Sequence, residues 1–165
     1  MSDRRRSLPD LGPRGEGWVA AQFVLLGLIV VLGLLGAADA LPTSVAEWLL
    51  AVIGATELLI GGIWLARAFR ELGPNLTPLP RPTEHGVLVR SGIYATVRHP
   101  IYAGLILGAV GWATLVRSGA ALGACVLLAV LLDAKSRREE QWLLAKFPDY
   151  AAYRSRSRRF LRGIY

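Results

Sequence analysis

Apolar and charged positions along this chain fall into blocks and are not interleaved. Trp18 to Ala38 runs 21 residues without a charge until Asp39. A helix rises about 1.5 Å per residue, so ~20 such residues cross a hydrocarbon core of about 30 Å. This block predicts a first transmembrane helix over 18–38, and Trp48 to Phe69 predicts a second over 48–69. Pro100 to Val116 and Ala120 to Leu132 predict a third (100–116) and a fourth (120–132), joined at Arg117-Ser118-Gly119. Both are short and read best as a tight helical hairpin. From Asp133 the chain turns polar, with Trp142, Leu143, Leu144, Phe147, Tyr150 and Tyr153 at near-helical spacing. That spacing predicts an amphipathic interfacial helix with its aromatic residues at headgroup level. The expected fold is an all-α polytopic integral membrane protein: about four transmembrane helices plus this C-terminal amphipathic helix.

The segments between the blocks complete the expected organisation. Residues 1–17 are polar, basic and rich in Gly and Pro, which predicts a flexible cytoplasmic tail. Residues 18–165 then form a single membrane domain. A cleaved signal peptide is the rival reading of the first block, with Arg4–Arg6 as its basic region and Ala38-Asp39-Ala40 as its cleavage site. Against it, the apolar run exceeds the usual ~7–15 residues, and Asp10 and Glu16 stand between it and the arginines. Thr43 or Ser44 suits the N-cap of the second helix. Arg70 to Arg90 holds four prolines and two glycines, which excludes a regular helix through most of it. A long loop tied at both ends between spans is expected to be functional. Glu57 lies near the middle of the second span, where a carboxylate either has a partner or is protonated and hydrogen-bonded to a neighbouring helix. Gly54, Gly61 and Gly62 nearby permit close helix contact.

Composition sharpens this picture through charge. Hydrophobic residues make up 53% of the 165, yet the formal net charge is +7. Of the 19 basic residues only Arg117 falls in a connection on the opposite side from the long loop. The positive-inside rule therefore predicts both termini and the long loop in the cytoplasm, which an even number of spans requires. Localisation in a bacterial inner membrane is expected. Nucleic-acid binding, the other common reading of a basic chain, is excluded because no soluble domain is left to carry it. The single cysteine, Cys125, sits in an apolar run and can form neither an intramolecular disulfide nor a cysteine-rich metal site. No metal is implied.

Chemistry-bearing residues concentrate in Gly92–Gly104 (GIYATVRHPIYAG) and Lys135–Tyr153 (KSRREEQWLLAKFPDYAAY), both at the predicted cytoplasmic boundary. Antiparallel pairing of the third and fourth helices brings Arg98-His99 close to Glu139-Glu140. Arg98 offers a forked donor for a carboxylate or phosphate, and His99 a switchable donor or acceptor. Pro100 suits a first helical turn, and small Ala103 and Gly104 allow close approach to the backbone. Glu139 and Glu140 suit an amine or a sulfonium. The plainer reading is an interfacial Arg-His anchor and a solvated Glu-Glu face.

A resemblance shifts the balance. Arg98-His99-Pro100-Ile101-Tyr102-Ala103-Gly104, followed by Glu139-Glu140, Leu143, Phe147-Pro148 and Tyr150-Ala151-Ala152-Tyr153, resembles the isoprenylcysteine carboxyl methyltransferases. It is similar too to the membrane phospholipid methyltransferases, and Gly86 to Tyr94 resembles their lead-in. The likeness spans residues 73–160. It implies S-adenosylmethionine as methyl donor, with S-adenosylhomocysteine as product. Carried over by position, Tyr94, Val97, His99, Pro100, Tyr102, Gly104, Glu139 and Glu140 would contact the cofactor, and Arg98, His99 and Glu140 would serve catalysis. The implied acceptor is a lipid-like or prenylated molecule, with carboxyl methylation favoured over phospholipid N-methylation. A non-catalytic membrane scaffold that keeps the fold is the reading from a different class, and oligomeric state stays open.

Overall fold

In a computed structural model, which describes residues 9–37 and 41–160, the chain is mainly helical, with an irregular stretch over 76–91. The helices are α1 (Glu16–Gly36), α2 (Val45–Leu72), α3 (Pro100–Leu115), α4 (Gly119–Lys146) and α5 (Tyr150–Arg156), with 3-10 turns at Gly73–Asn75 and Gly92–Ala95. Among the described residues no strand forms; an isolated parallel bridge joins Val97 and Arg158. Three helices (α1, α2 and α4) are long and apolar enough to cross a membrane, and α3 is apolar but only 16 residues long. The Ala38-Asp39-Ala40 cleavage motif and residues 1–8 of the expected tail lie outside the described residues. Exposed side chains on the spans are large and apolar: Leu35 is 77% exposed, Val24 69% and Leu59 64%. That exposure suits hydrocarbon, where a lipid-facing leucine loses nothing.

Local signals set the boundaries. Ser44 caps α2 by accepting from the Glu47 amide at 3.2 Å, while Glu47 accepts from the Thr43 amide at 2.6 Å. The pair is a variant of the capping box in which Glu47 reaches the amide one residue ahead of the cap. α3 begins at Pro100, where a missing N–H leaves nothing unpaired. Arg117 turns the hairpin with a φ of 54°, and Ser118 caps α4 by accepting from the Ala121 amide at 3.2 Å.

One boundary differs from the sequence pattern. The fourth span and the amphipathic segment are one helix, α4, which continues 14 residues past Leu132 to Lys146. Nothing after Asp133 breaks it: Lys, Arg, Glu, Gln, Leu and Ala are strong helix formers, and Pro148 is the first residue that cannot follow. Arg137 Nε donates to Asp133 Oδ2 at 2.7 Å one turn away and supports the crossing into water. α4 thus carries chemistry from the membrane boundary outward on a rigid rod. Only the short α5 follows it as a separate helix.

Two helix pairs build the apolar half. α1 packs on α4 through Ile29, with Ala121, Ala124, Cys125, Leu128 and Leu132 in the same buried cluster. α2 packs on α3 through glycine. A Cβ added at Gly61 would lie 2.7 Å from the Gly108 amide nitrogen, and one at Gly111 would lie 2.5 Å from the Leu58 nitrogen. Both obstacles are backbone, so the two helices meet with no side chain between them. Lipid supplies no hydrophobic drive for helix pairing, and this close fit gains its stability from dispersion contact. Gly62, one residue on, has nothing within 4 Å and faces away.

Candidate functional site

Three pieces of chain converge where α3 begins: the turn 92–99, the polar half of α4 and the C-terminal stretch after α5. The loop ahead of them is pinned by side chains, because its prolines cannot donate. Asn75 Oδ1 accepts from the Val87 amide at 2.8 Å, and Lys146 Nζ donates to the Glu84 carbonyl at 2.9 Å. Gly92 takes a φ of 57°, and Glu71 occupies the space where its Cβ would stand while accepting from the Ile93 amide. Only glycine fits there without strain.

Residues 96–99 then pair with the chain after α5. The Arg98 amide donates to the Arg158 carbonyl at 2.7 Å, His99 N to Arg159 O at 3.0 Å, and Arg158 N to Thr96 O at 2.8 Å. This short ladder holds the basic C-terminal stretch against the mouth of α3. Residues 9–15 close in from the other end: Trp18 Nε1 donates to the Pro9 carbonyl at 3.2 Å, and Arg81 Nη1 to the Pro13 carbonyl at 3.0 Å.

Glu140 is the centre of the charge. It lies two turns beyond the apolar part of α4 and is 2% exposed. Its Oε1 accepts from Arg98 Nε at 2.8 Å and lies 3.4 Å from both His99 Nε2 and Arg159 Nε. Its Oε2 lies 3.3 Å from Arg154 Nε and 3.4 Å from Arg159 Nη2. Burial would raise this carboxyl, but the hydrogen bonds and charges of His99 and Arg98 outweigh it and hold the group well below the usual carboxylate range. Glu140 therefore stays ionised and serves as the hub that orients the cations. Arg98 also donates through Nη1 to the Ser157 carbonyl and, at 3.1 Å, to the Arg154 carbonyl.

Glu139, one residue earlier, points elsewhere. Its Oε2 accepts from Tyr102 Oη at 2.7 Å and lies 3.7 Å from His99 Nδ1. His99 thus stands between the two glutamates, and its ring stacks on Tyr102 at 5.3 Å with 1° between planes.

Two cavities meet at Glu139. The first, about 110 Å³, is enclosed by the proline-rich loop together with Tyr94, Leu143, Phe147, Tyr150 and Tyr153. The second, about 320 Å³, lies among α1, α2, α3 and α4, with Phe23, Leu26, Phe69 and Leu105 as apolar walls. Leu72, Thr77, Arg98 and Glu139 line both. The tyrosines of the first cavity are neutral donors at ordinary pH. Burial pushes Tyr153 up to about 12, and burial together with the nearby glutamates raises Tyr94 and Tyr150 further. Tyr153 Oη donates to the Tyr94 carbonyl at 2.6 Å. Tyr150 Oη is buried and has no hydrogen-bond partner among the described residues.

The residues singled out in the sequence separate into groups. Arg98 and Glu139 line both cavities; Tyr94 lines the first; His99, Pro100 and Tyr102 line the second. Val97 is buried in the bridge to Arg158, Gly104 packs against Leu65 and Gly61 of α2, and Glu140 sits in the ion cluster. These three line neither cavity. Sequence reasoning missed Arg159 and Arg154, which join the ion cluster around Glu140. It also missed Gln22 and Lys135, which line the second cavity. Gln22 had a signal: it is the one amide in an otherwise apolar first span.

Comparison with known proteins gives the same emphasis. The phospholipid methyltransferase family matches residues 49–149, from the start of α2 to the end of α4 and just beyond. The chain is 30% identical over 95 residues to protein-S-isoprenylcysteine O-methyltransferase B of Arabidopsis thaliana, covering 56% of this chain and 48% of that protein. It is 29% identical over 112 residues to the cobalt-zinc-cadmium resistance protein CzcN of Cupriavidus metallidurans, covering 67% of this chain and 47% of that one. The chain spans about half the length of the curated relatives it matches.

Proposed function

The chain belongs to the phospholipid methyltransferase family, and from that premise we propose that it methylates a lipid-like or prenylated carboxylate at the membrane surface with S-adenosylmethionine as donor. The working face is cytoplasmic, in a bacterial inner membrane, with both termini on that side. The observation that carries the reading is the pair of cavities, one lined by the loop and its tyrosines, one apolar and open among the spans, that share Arg98 and Glu139.

The residues of the first cavity fit the cofactor. Phe147, Leu143 and Tyr94 offer flat and apolar walls for a purine, and Glu139 offers a carboxylate for a cation. Tyr150 Oη, buried without a partner, gains one when a polar ligand enters. Tyr94, Glu139 and Tyr150 would hold the cofactor there, with His99 and Tyr102 fixing Glu139 from behind. When bound, S-adenosylmethionine supplies a sulfonium-activated methyl group.

The chain's own contribution is positioning and exclusion of water, which lower the barrier of an in-line displacement without acid-base chemistry. An ionised carboxylate acceptor needs no general base. Arg98, clamped by Glu140 and two carbonyls through Nε and Nη1, keeps Nη2 to meet it, and little rotamer freedom is lost when the acceptor arrives. Glu140 acts through Arg98 and His99 as a positioning residue. The apolar walls of the second cavity take the acceptor's hydrocarbon part from the bilayer.

The test is methyl transfer from labelled S-adenosylmethionine to an S-prenylated N-acetylcysteine by the protein in lipid nanodiscs. Methyl ester formation, lost in Arg98→Ala with cofactor binding kept, is the expected result. Label recovered only in phosphatidylethanolamine-derived lipid would select N-methylation, and no transfer to either acceptor by folded, cofactor-binding protein would select the scaffold.

A further inference from the structure

Lys135 is 1% exposed, on the face of α4 that closes the second cavity. Its Nζ donates to Gln22 Oε1 of α1 at 2.7 Å and to the Pro78 carbonyl of the loop at 3.2 Å, and lies 5.1 Å from the Tyr102 ring centre. All these partners are neutral. Among the described residues Lys135 makes no ion pair within 4.0 Å; the carboxylate one turn on, Glu139, is bonded to Tyr102 and faces His99. An ammonium has three donors, and two are engaged.

A buried ammonium whose hydrogen-bond partners are all neutral is costly, and an anion entering the cavity would offset that cost. The arrangement argues against a merely structural tie between α1 and α4. A neutral side chain would bridge Gln22 and Pro78 without the cost of burying a charge. Lys135 also lines a 320 Å³ cavity whose remaining walls are mostly apolar, so an entering amphiphile meets it at the polar end. Gln22, itself 7% exposed, stands in a span with no other amide, and its carbonyl oxygen aims the ammonium.

We propose that Lys135, held by Gln22 and the Pro78 carbonyl, is the specificity determinant that admits an anionic acceptor to the second cavity and rejects a cationic or neutral one. This deepens the carboxylate reading above and rests on it. The ligand is a hydrocarbon-bearing carboxylate, whose charge neutralises Lys135 while its chain lies along Phe23, Leu26, Phe69 and Leu105. An amine acceptor of the same length meets like charge there.

The experiment compares an S-farnesylated N-acetylcysteine with its carboxamide, equal in size and uncharged, for binding to the protein in neutral-lipid nanodiscs. S-adenosylhomocysteine binding is measured on the same samples. Wild type is expected to prefer the carboxylate by roughly tenfold or more, a difference of about 1.4 kcal/mol. Lys135→Met removes the charge, and Gln22→Glu supplies an internal counterion without emptying the site. Both should reduce the preference, what remains resting on Arg98, and leave S-adenosylhomocysteine binding within about twofold of wild type. Equal binding of the two probes to wild type overturns the proposal, and so does a preference undiminished in Gln22→Glu. A carboxylate preference set by Lys135 in protein that binds no S-adenosylhomocysteine would keep this anchor and remove the methyltransferase reading.

Discussion

Between α2 and α3 the chain is held by backbone against backbone; at the mouth of α3 it is held by charge against charge. Gly54, Gly61 and Gly111 set backbone against backbone and Gly104 takes the Leu65 side chain, so this contact rests on close apolar fit alone. Around Glu140, three arginines and a histidine crowd one carboxylate, and the stability of each depends on the others. The first region tolerates no added atom but is indifferent to pH and salt. The second tolerates changes of shape but not the loss of a charge. A membrane protein can build a site at its boundary in this way, because the glycine contact fixes where α3 starts and the ion cluster fixes what surrounds that start.

The largest effect expected from breaking this comparison is Glu140→Ala. It leaves Arg98 buried without its carboxylate and Arg159 with Asp133 but not Glu140, and losing one partner of a buried pair costs about 3–5 kcal/mol. Thermal unfolding in detergent should show it as the deepest destabilisation of any single change in this region. Gly61→Ala comes next. Its methyl meets backbone of α3 that cannot move aside, for a cost of about 1–3 kcal/mol typical of overpacking, whereas Gly62→Ala, facing open space, should leave the melting temperature unchanged.

The pH dependence separates the two regions further. Because the folded Glu140 carboxyl is held below its ordinary value, its stabilisation is fully present above about pH 4.5, its unfolded range, and declines as pH falls toward the folded value. The melting-temperature gap between wild type and Glu140→Gln should stay constant from pH 8 to about 5 and narrow in stronger acid. The gap between wild type and Gly61→Ala should not change over that range. The smallest effect is at the hairpin: Ser118→Ala removes the α4 cap and the bond to the Leu32 carbonyl at 3.0 Å, for about 1 kcal/mol by chemical or thermal denaturation.

These contrasts bear on what the sequence made legible. The spans were readable because lipid demands long uncharged blocks, and Glu139-Glu140 facing Arg98-His99 followed from antiparallel pairing. The unbroken α4 was not, since the change from apolar to polar at Asp133 marks the end of the membrane and leaves the helix intact. Gly104 read as a place for ligand approach, yet its neighbour is α2, because small residues serve helix packing and ligand entry with the same signature. Arg159 carried no signal in the sequence; the ladder between 96–99 and 158–159 turns it inward, and a pairing of that kind leaves no periodic trace. Lys135 and Gln22 meet 113 residues apart in sequence, and spacing carries no sign of it.

We propose the cavity beside Arg98 and Glu139 as a cofactor site, and the most direct test is calorimetric titration of S-adenosylhomocysteine into the purified protein. Wild type is expected to bind saturably, one ligand per chain. Glu139→Gln should bind at least roughly tenfold more weakly with an unchanged melting temperature, since it keeps a hydrogen-bond acceptor for Tyr102. Equal binding to wild type and Glu139→Gln, or no binding to folded wild type in detergent and in nanodiscs, would contradict it.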